Sequence, residues 1–161
     1  MKRILAILMA AFIFGGCDWH EEIYFDTPFA SIFNTDGGTS STIDSNFGKG
    51  VDSILSELKL TISVSSARFT EPITVDYELI VGDGLTEGVD YRIQQSTASP
   101  LKFSVGTYTM PIRILWLKAP SPDTSKDNTL TIRLTGSSLD GMLMGYPGPS
   151  AKGSSFTFTR I

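Results

Sequence analysis

The fold is decided by one stretch of nine residues, Ile73-Thr74-Val75-Asp76-Tyr77-Glu78-Leu79-Ile80-Val81. Apolar side chains occupy every second position from Ile73 to Val81, and polar side chains fill most of the positions between them. This period of two places the apolar side chains on one face of a β-strand. Because the strands of a parallel sheet are covered on both faces and lose this alternation, the pattern favours antiparallel pairing over a core.

The same alternation recurs on both sides of this stretch. Its apolar positions are Leu58, Leu60, Ile62 and Val64; Tyr91 and Ile93; Leu101, Phe103 and Val105; Met110, Ile112, Ile114 and Trp116; Leu130, Ile132 and Leu134; and Phe156 and Phe158. Glycine and proline residues separate these segments and mark turns between them. Short alternating strands at this spacing, with no long helical pattern, predict an all-β fold. We expect a single antiparallel immunoglobulin-like β-sandwich of seven to eight strands over residues 23–161.

The sequence before residue 58 carries a weaker strand pattern. Residues 23–25 and 30–33 form two short apolar groups, which predict one broken edge strand because Pro28 between them is tolerated best at a sheet edge. Residues 35–50 are rich in glycine, serine, threonine, asparagine and aspartate, and this composition predicts a long mobile loop. A helical turn is expected to begin the segment 51–58.

The N-terminal residues resemble a bacterial lipoprotein signal. A short cationic start at residues 1–3 precedes an apolar run at 4–14, which is too short to span a bilayer, and two glycines stand directly before Cys17. This order indicates a signal peptide at residues 1–16 that is removed from the mature chain. The resemblance implies that Cys17 is acylated and anchors the protein to a membrane through more than one acyl chain. An ordinary signal peptide with an incidental cysteine is the alternative.

An acidic tether follows at residues 17–22, in the order Cys17-Asp18-Trp19-His20-Glu21-Glu22. It resembles the export signal of surface lipoproteins of the Bacteroidota, which implies attachment to the outer membrane with the domain facing outward. A solvated spacer with no targeting role is the alternative. We therefore expect a cell-envelope protein held to the membrane by its lipid.

The mature chain is acidic. Removal of residues 1–16 takes two of the 13 basic residues and none of the 17 acidic ones. This balance disfavours nucleic acid as a partner, and it also disfavours membrane attachment through basic residues on anionic headgroups.

The sequence offers little for catalysis. Cys17 is the only cysteine and His20 the only histidine, and both lie in the predicted tether. A Ser-His-Asp triad or a histidine metal site therefore cannot form inside the domain. Asp76 and Glu78 lie on the polar face of one predicted strand, where we interpret them as surface charges. We expect a protein that is not an enzyme.

Residues 75–103 resemble the middle of a Calx-beta domain. The similarity rests on Val75-Asp76-Tyr77-Glu78-Leu79, Gly82-Asp83-Gly84-Leu85-Thr86-Glu87-Gly88-Val89-Asp90-Tyr91 and Leu101-Lys102-Phe103, followed by Gly106. With the two strands that follow, it extends over residues 57–161. The chain is also similar to lipoproteins of the Bacteroidota that carry one immunoglobulin-like domain. Both resemblances imply a small β-sandwich.

Some Calx-beta domains bind calcium through carboxylates at one end of the sandwich, and the resemblance implies candidates for such a site. They are Asp83, Glu87 and Asp90 in one loop and Asp123 and Asp127 in another. A hard cation such as Ca²⁺ takes six to eight oxygen ligands. The paired acidic residues with which such domains often end are missing from residues 157–161. Solvated polar loops are therefore the favoured interpretation, and no cofactor is expected.

Two aromatic residues are candidate ligand contacts. Tyr146 lies in an apolar, glycine-rich loop segment at residues 141–148, where it could stack on a sugar ring or cover a partner protein. The alternative is that this loop folds back and plugs the open end of the sandwich. Trp116 closes an alternating strand, and a position in the core is the alternative to ligand contact there.

These observations favour a binding module. We expect a non-catalytic lipoprotein that binds a glycan or a partner protein, and analogy with its lipoprotein type suggests a part in polysaccharide uptake. A structural or adhesive module is the second interpretation, since an edge strand near Phe25–Phe33 could pair with a strand of another protein. A calcium-stabilised Calx-beta-like domain is the third.

Overall fold

The computed structural model describes residues 27–161, which form two five-stranded β-sheets and one short 3₁₀ helix. The elements are β1 (Phe29–Phe33), β2 (Ser40–Ile43), β3 (Ser53–Ser63), β4 (Ile73–Val81), β5 (Tyr91–Ile93), the 3₁₀ helix (Gln95–Thr97), β6 (Leu101–Phe103), β7 (Thr109–Leu117), β8 (Thr129–Ser137), β9 (Leu143–Met144) and β10 (Ser155–Arg160). The prediction of an all-β fold is confirmed. This part of the chain has more strands than the predicted seven to eight, because β2 and β9 are too polar or too short to show apolar alternation.

The predictions for the N-terminal segment lie outside the described residues. They concern the signal peptide at 1–16, the lipidation site Cys17, the acidic tether at 17–22 and the first residues of the domain at 23–26. Within residues 27–161, no helix has the length and apolar character needed to cross a membrane.

The two sheets are sandwich-like and mixed. The first sheet has the order β5-β7-β3-β1-β9 and the second the order β2-β10-β8-β4-β6. Most neighbours are antiparallel, as predicted, but β9 runs parallel to β1 and β2 runs parallel to β10. The expectation of a purely antiparallel sandwich is therefore wrong at these two edges. Both parallel strands are short and lie within the long connections between the longer strands.

The region before β4 departs furthest from the prediction. The segment 35–50 is not a loop throughout, since it contains β2, which pairs with β10 from Ser40 to Ile43. The expected helical turn at the start of 51–58 is wrong, because β3 begins at Ser53 and pairs with β7 along nine residues. Long-range pairing with an apolar partner strand overrides the local preference there.

Strand β1 is not an edge strand over Phe29–Phe33, so this part of the edge-strand prediction is wrong. It pairs with β3 on one side and with β9 on the other. The backbone N–H groups of Leu143 and Gly145 donate to the carbonyl oxygens of Pro28 (2.8 Å) and Ala30 (2.7 Å). The carbonyl groups of Pro28 and Ala30 that an added strand would need are therefore already in use, and the N–H of Ile32 donates to Gly153 O.

The core lies between the sheets and consists of the inward-facing residues of the alternating strands. Its largest fully buried side chains are Trp116, Tyr91, Phe103, Phe156, Phe158, Ile32, Leu58, Leu60, Ile62, Ile112, Ile114 and Leu130. Nearly all of these occupy positions that the alternation predicted. Two positions that the alternation placed on the apolar face are exposed instead: Val81 at the end of β4 (39%) and Val105 in the turn after β6 (55%).

One charged side chain, Arg160, is buried at the end of β10. Its guanidinium donates to a carboxylate oxygen of Asp90, to the hydroxyl of Ser45 (3.0 Å) and to the backbone carbonyl of Leu117 (3.2 Å). The Arg160 side chain is 1% exposed and that of Asp90 is 16% exposed. This network joins the last strand to the loop before β5, to the end of β7 and to the segment after β2.

Candidate functional site

The candidate site lies on the outer face of the first sheet, beside β1. The side chains of Ala30 and Ile32 point into the core, so those of Phe29, Ser31 and Phe33 point to the outer face. These three are nevertheless buried or half-buried. Something on the outer face must therefore cover them.

The cover is the loop between β9 and β10, which carries Tyr146. The ring of Tyr146 packs against that of Phe29 at a centroid distance of 4.8 Å and against that of Phe33 at 5.6 Å. Tilted contacts at these distances are favourable for aromatic pairs. Tyr146 still remains 46% exposed, so one part of its ring is held by the sheet and another part faces solvent.

Two glycines hold this loop in place. Gly145 has φ +97° and Gly153 has φ +78°, and both are in the left-handed region that disfavours side chains. A Cβ atom on Gly153 would come within 2.6 Å of the Phe33 ring. The N–H of Tyr146 donates to Lys152 O and the N–H of Ile32 donates to Gly153 O, each at 2.8 Å. The loop that presents Tyr146 is therefore built tightly onto β1.

Gly153→Ala tests this arrangement and is expected to lower the free energy of unfolding by about 2–3 kcal/mol, from overpacking against Phe33 together with a strained backbone. The matched control is Gly141→Ala, since Gly141 has a similar φ of +75° but open space where the Cβ would lie. The control should cost about 1 kcal/mol from backbone strain alone. Urea denaturation measures both, and equal losses would contradict the close packing of Gly153 on Phe33.

A groove of about 460 Å³ runs along this face, and we call it the hydroxyl groove. It is lined by Phe29, Ser31, Phe33, Thr61, Ile62, Ser63, Val64, Tyr108 and Tyr146. Pairing of β1 with β3 sets Thr61 beside Ser31 and Ser63 beside Phe29, so hydroxyl groups form the floor between aromatic rings. The Thr61 hydroxyl also lies 3.2 Å from that of Thr109 on β7. None of the described residues that line the groove is charged.

A second groove of about 390 Å³ lies on the other side of Tyr146, and we call it the lysine groove. It is lined by Phe33, Gly37, Tyr146 and Lys152. Tyr146 and Phe33 line both grooves, so the exposed ring of Tyr146 forms a ridge between them. The Lys152 side chain is exposed and supplies the positive charge of the second groove.

The structure does not bring the five candidate calcium ligands together. Asp83 accepts a hydrogen bond from the backbone N–H of Asp127 (2.9 Å), and Asp127 accepts one from the N–H of Thr129 (3.0 Å). Asp90 accepts from Arg160 and from the N–H of Thr86. These carboxylates hold their own loops.

Asp123 is likewise engaged locally. Its carboxylate accepts from the hydroxyl (2.7 Å) and the backbone N–H (2.9 Å) of Ser125, and these hydrogen bonds hold the pKa of Asp123 below its ordinary value. Within residues 27–161, no group of three or more histidine, cysteine, aspartate or glutamate side chains is placed to hold a metal ion. Asp83, Glu87, Asp90, Asp123 and Asp127, the candidate calcium ligands that the Calx-beta resemblance implies, therefore do not form one cluster in the described part of the chain.

Trp116 is fully buried, so the structure places it in the core, which was the alternative to ligand contact, and not at a ligand surface. Its ring packs against Tyr91 (6.0 Å between centroids) and Phe158 (5.4 Å) inside the core. Burial raises the pKa of the Tyr91 hydroxyl, and the nearby carboxylates of Glu87 and Asp90 add to the effect. Tyr146, in contrast, is accessible, and its loop lies on the outer face of the first sheet instead of plugging one end of the sandwich.

Tyr146 is a candidate contact on the sequence alone, but its neighbours in the two grooves are not. Ser31, Phe33, Thr61 and Ser63 were not selected, because a site on a sheet face depends on which strands pair. One signal was available: the segment Phe29-Ala30-Ser31-Ile32-Phe33 has apolar residues on both faces, which indicates that both faces are covered.

No protein-family model matches this chain, and no curated protein sequence matches it either.

Proposed function

We propose that the protein is a non-catalytic binding module of the cell envelope that holds carbohydrate on the outer face of the first sheet. The observation that supports this most is the half-exposed ring of Tyr146, fixed on Phe29 and Phe33 beside a floor of hydroxyl groups. A sugar ring has apolar C–H faces and a rim of hydroxyls. An aromatic face with hydroxyl donors and acceptors at its foot complements both parts.

The lining of the hydroxyl groove favours carbohydrate over a protein strand or helix. Its described residues are aromatic, aliphatic or hydroxyl-bearing, and its floor is set by the register of β1 and β3 on a rigid sheet. Binding sites of this kind combine apolar walls with a few fixed polar groups. An adhesive role through β1 has less support, because that strand already has a neighbour on each side.

We also propose that the sandwich is immunoglobulin-like, and the strand order supports this. Strands β1, β3, β7 and β5 follow the A-B-E-D order of such domains, and β4, β8 and β10 follow the C-F-G order. The order departs from that of immunoglobulin domains at one point: along the chain, β5, which belongs to the first sheet, comes before β6, which pairs with β4 in the second sheet. Loops and faces of such sandwiches commonly serve recognition.

The location is proposed from the sequence alone. A lipid on Cys17 would tether the domain to the outer membrane, and surface display would suit the capture of a polysaccharide for uptake. Labelling of cells with a radioactive or alkyne-tagged fatty acid should mark the protein, and Cys17→Ser should remove the label. Protease added to intact cells should cleave it if the domain faces outward.

Tyr146→Ala tests the binding role. On an array of plant and microbial polysaccharides the unmodified protein should retain at least one polysaccharide, and calorimetry with that polysaccharide should show about 10- to 100-fold weaker binding by the variant, since an aromatic anchor contributes about 2 kcal/mol. Tyr146→Phe keeps the stacking face and should retain most of the affinity.

The matched control is Val89→Ala. Val89 is 57% exposed in the loop before β5, at the far end of the sheet from Tyr146. The Val89→Ala variant should bind the polysaccharide with unchanged affinity. Thermal denaturation should show that Tyr146→Ala, Tyr146→Phe and Val89→Ala are all folded. Absence of any polysaccharide binding by the unmodified protein contradicts the proposal, as does equal binding by Tyr146→Ala.

A further inference from the structure

We infer that this surface takes an internal stretch of an acidic polysaccharide, with an anionic sugar unit in the lysine groove and an uncharged face of the chain in the hydroxyl groove. This inference rests on the proposed function. It adds the class of carbohydrate and the way in which the chain lies across the site.

The first step is that the two grooves form one path. Both are lined by Tyr146 and by Phe33, so a chain that leaves one groove over the Tyr146 ring enters the other. Their volumes of about 460 Å³ and 390 Å³ are each of the size that holds a small organic ligand. Together they accommodate several linked sugar units.

The second step is that both grooves are open to solvent. Neither groove is an enclosed cavity, and both lie on the face of a sheet beside exposed residues such as Ser63 and Lys152. A pocket that selects a chain end needs a wall that blocks further units. Phe29, Phe33 and Tyr146 line the path, and neither groove is closed by the described residues as such a pocket would be.

The third step concerns charge. Lys152 is the one charged residue among the described residues that line either groove. A second lysine, Lys59, is paired with Phe33 by the β1–β3 register and is exposed, although it does not line either groove. Asp36 adjoins Gly37 in the turn before β2 but does not line the groove. In a chain with an acidic balance overall, an ammonium group placed on such a path favours a carboxylate or sulfate on the ligand.

The experiment uses calorimetry with named acidic polysaccharides, namely polygalacturonate, alginate and hyaluronate, and with the carboxyl-reduced form of each. The expected result is binding of at least one acidic polymer and about 10-fold weaker binding of its reduced form, the usual scale for one charge-assisted hydrogen bond. Oligosaccharides of one to six units cut from that polymer should bind more tightly with each unit up to about four. Capping of the reducing end should have no effect on binding of the hexamer.

Lys152→Gln is the test variant, and Lys102→Gln is its control, since Lys102 is an exposed lysine on β6 of the other sheet. Lys152→Gln should bring the ratio between the acidic and reduced polymers to within about twofold, whereas Lys102→Gln should leave it unchanged. The inference is overturned if a monosaccharide binds as tightly as a tetrasaccharide, or if only neutral polymers bind while Tyr146→Ala still removes binding. In both cases the proposed function survives. If no polysaccharide binds at all, the inference and the proposed function fall together.

Discussion

Replacement of Arg160 by methionine is expected to lower the free energy of unfolding by about 3–5 kcal/mol, the usual cost of removing one partner of a buried ion pair. Methionine fills much of the space of the arginine stem but leaves the Asp90 carboxylate without its partner. It also leaves the hydroxyl of Ser45 and the carbonyl of Leu117 without a donor. Unpaired polar groups in a buried site cost more than the net value of the bonds they lose.

The matched control for this variant is Arg133→Met. Arg133 pairs with Glu78 across β8 and β4, but the two side chains are 56% and 44% exposed. An exposed pair contributes about 0–1 kcal/mol because water solvates both charges after the pair is broken. Urea denaturation, followed by tryptophan fluorescence, measures both variants. Equal losses would contradict the distinction between the buried and the exposed pair.

A double variant separates the charge effect from packing. Adding Asp90→Asn to Arg160→Met removes the orphaned carboxylate, so the double variant should be more stable than Arg160→Met alone. If the double variant is the less stable of the two, the main loss in Arg160→Met is packing and not the unpaired charge.

The sequence predicted those parts of the fold that depend on local alternation. Strands β4, β7 and β8 are long, and most of their alternating apolar positions are buried in the core, with Val81 at the end of β4 as an exposed exception. Strands β2 and β9 could not be found in this way. Their positions depend on hydrogen bonds to β10 and β1, which are distant in the chain, and four residues of serine, threonine and isoleucine carry no alternation that separates a strand from a loop.

The buried position of Arg160 agrees with the alternation of β10 but not with what its charge would predict. The inward positions of β10 are Phe156 and Phe158, and continuation of the same period places Arg160 inward as well. A charged residue at the end of a strand is ordinarily exposed. The decisive fact is Asp90, 70 residues away in the chain, which supplies the partner that burial requires.

The candidate site was predictable only in part, for a related reason. The glycine-rich composition around Tyr146 showed an apolar loop with an aromatic residue to present. Which surface that loop would cover depended on the parallel contact of β9 with β1 and on Gly153 above Phe33. Contacts of this kind are set by the assembled sheets and leave no local pattern in the sequence.

The sequence allowed Trp116 to be either a ligand contact or a core residue. Its replacement should lower the free energy of unfolding as much as replacement of Arg160. Trp116→Ala is expected to lower the free energy of unfolding by about 3–5 kcal/mol, because it leaves a cavity between Tyr91 and Phe158. Far-UV circular dichroism during urea denaturation measures the loss without relying on the deleted fluorophore. A loss below 1 kcal/mol would contradict the buried position.

Trp116→Phe distinguishes the size of the ring from its polar atom. The indole N–H of Trp116 is buried and has no hydrogen-bond partner among the described residues. An unsatisfied buried donor costs about 1–3 kcal/mol, so phenylalanine removes that cost while it gives up part of the packing. The two changes offset one another, and the variant should lie within about 1 kcal/mol of the original protein. Because Trp116 does not line either groove, the Trp116→Phe variant should also keep its affinity for polysaccharide. A Trp116→Phe variant that is stable but no longer binds would show that Trp116 contributes to ligand binding.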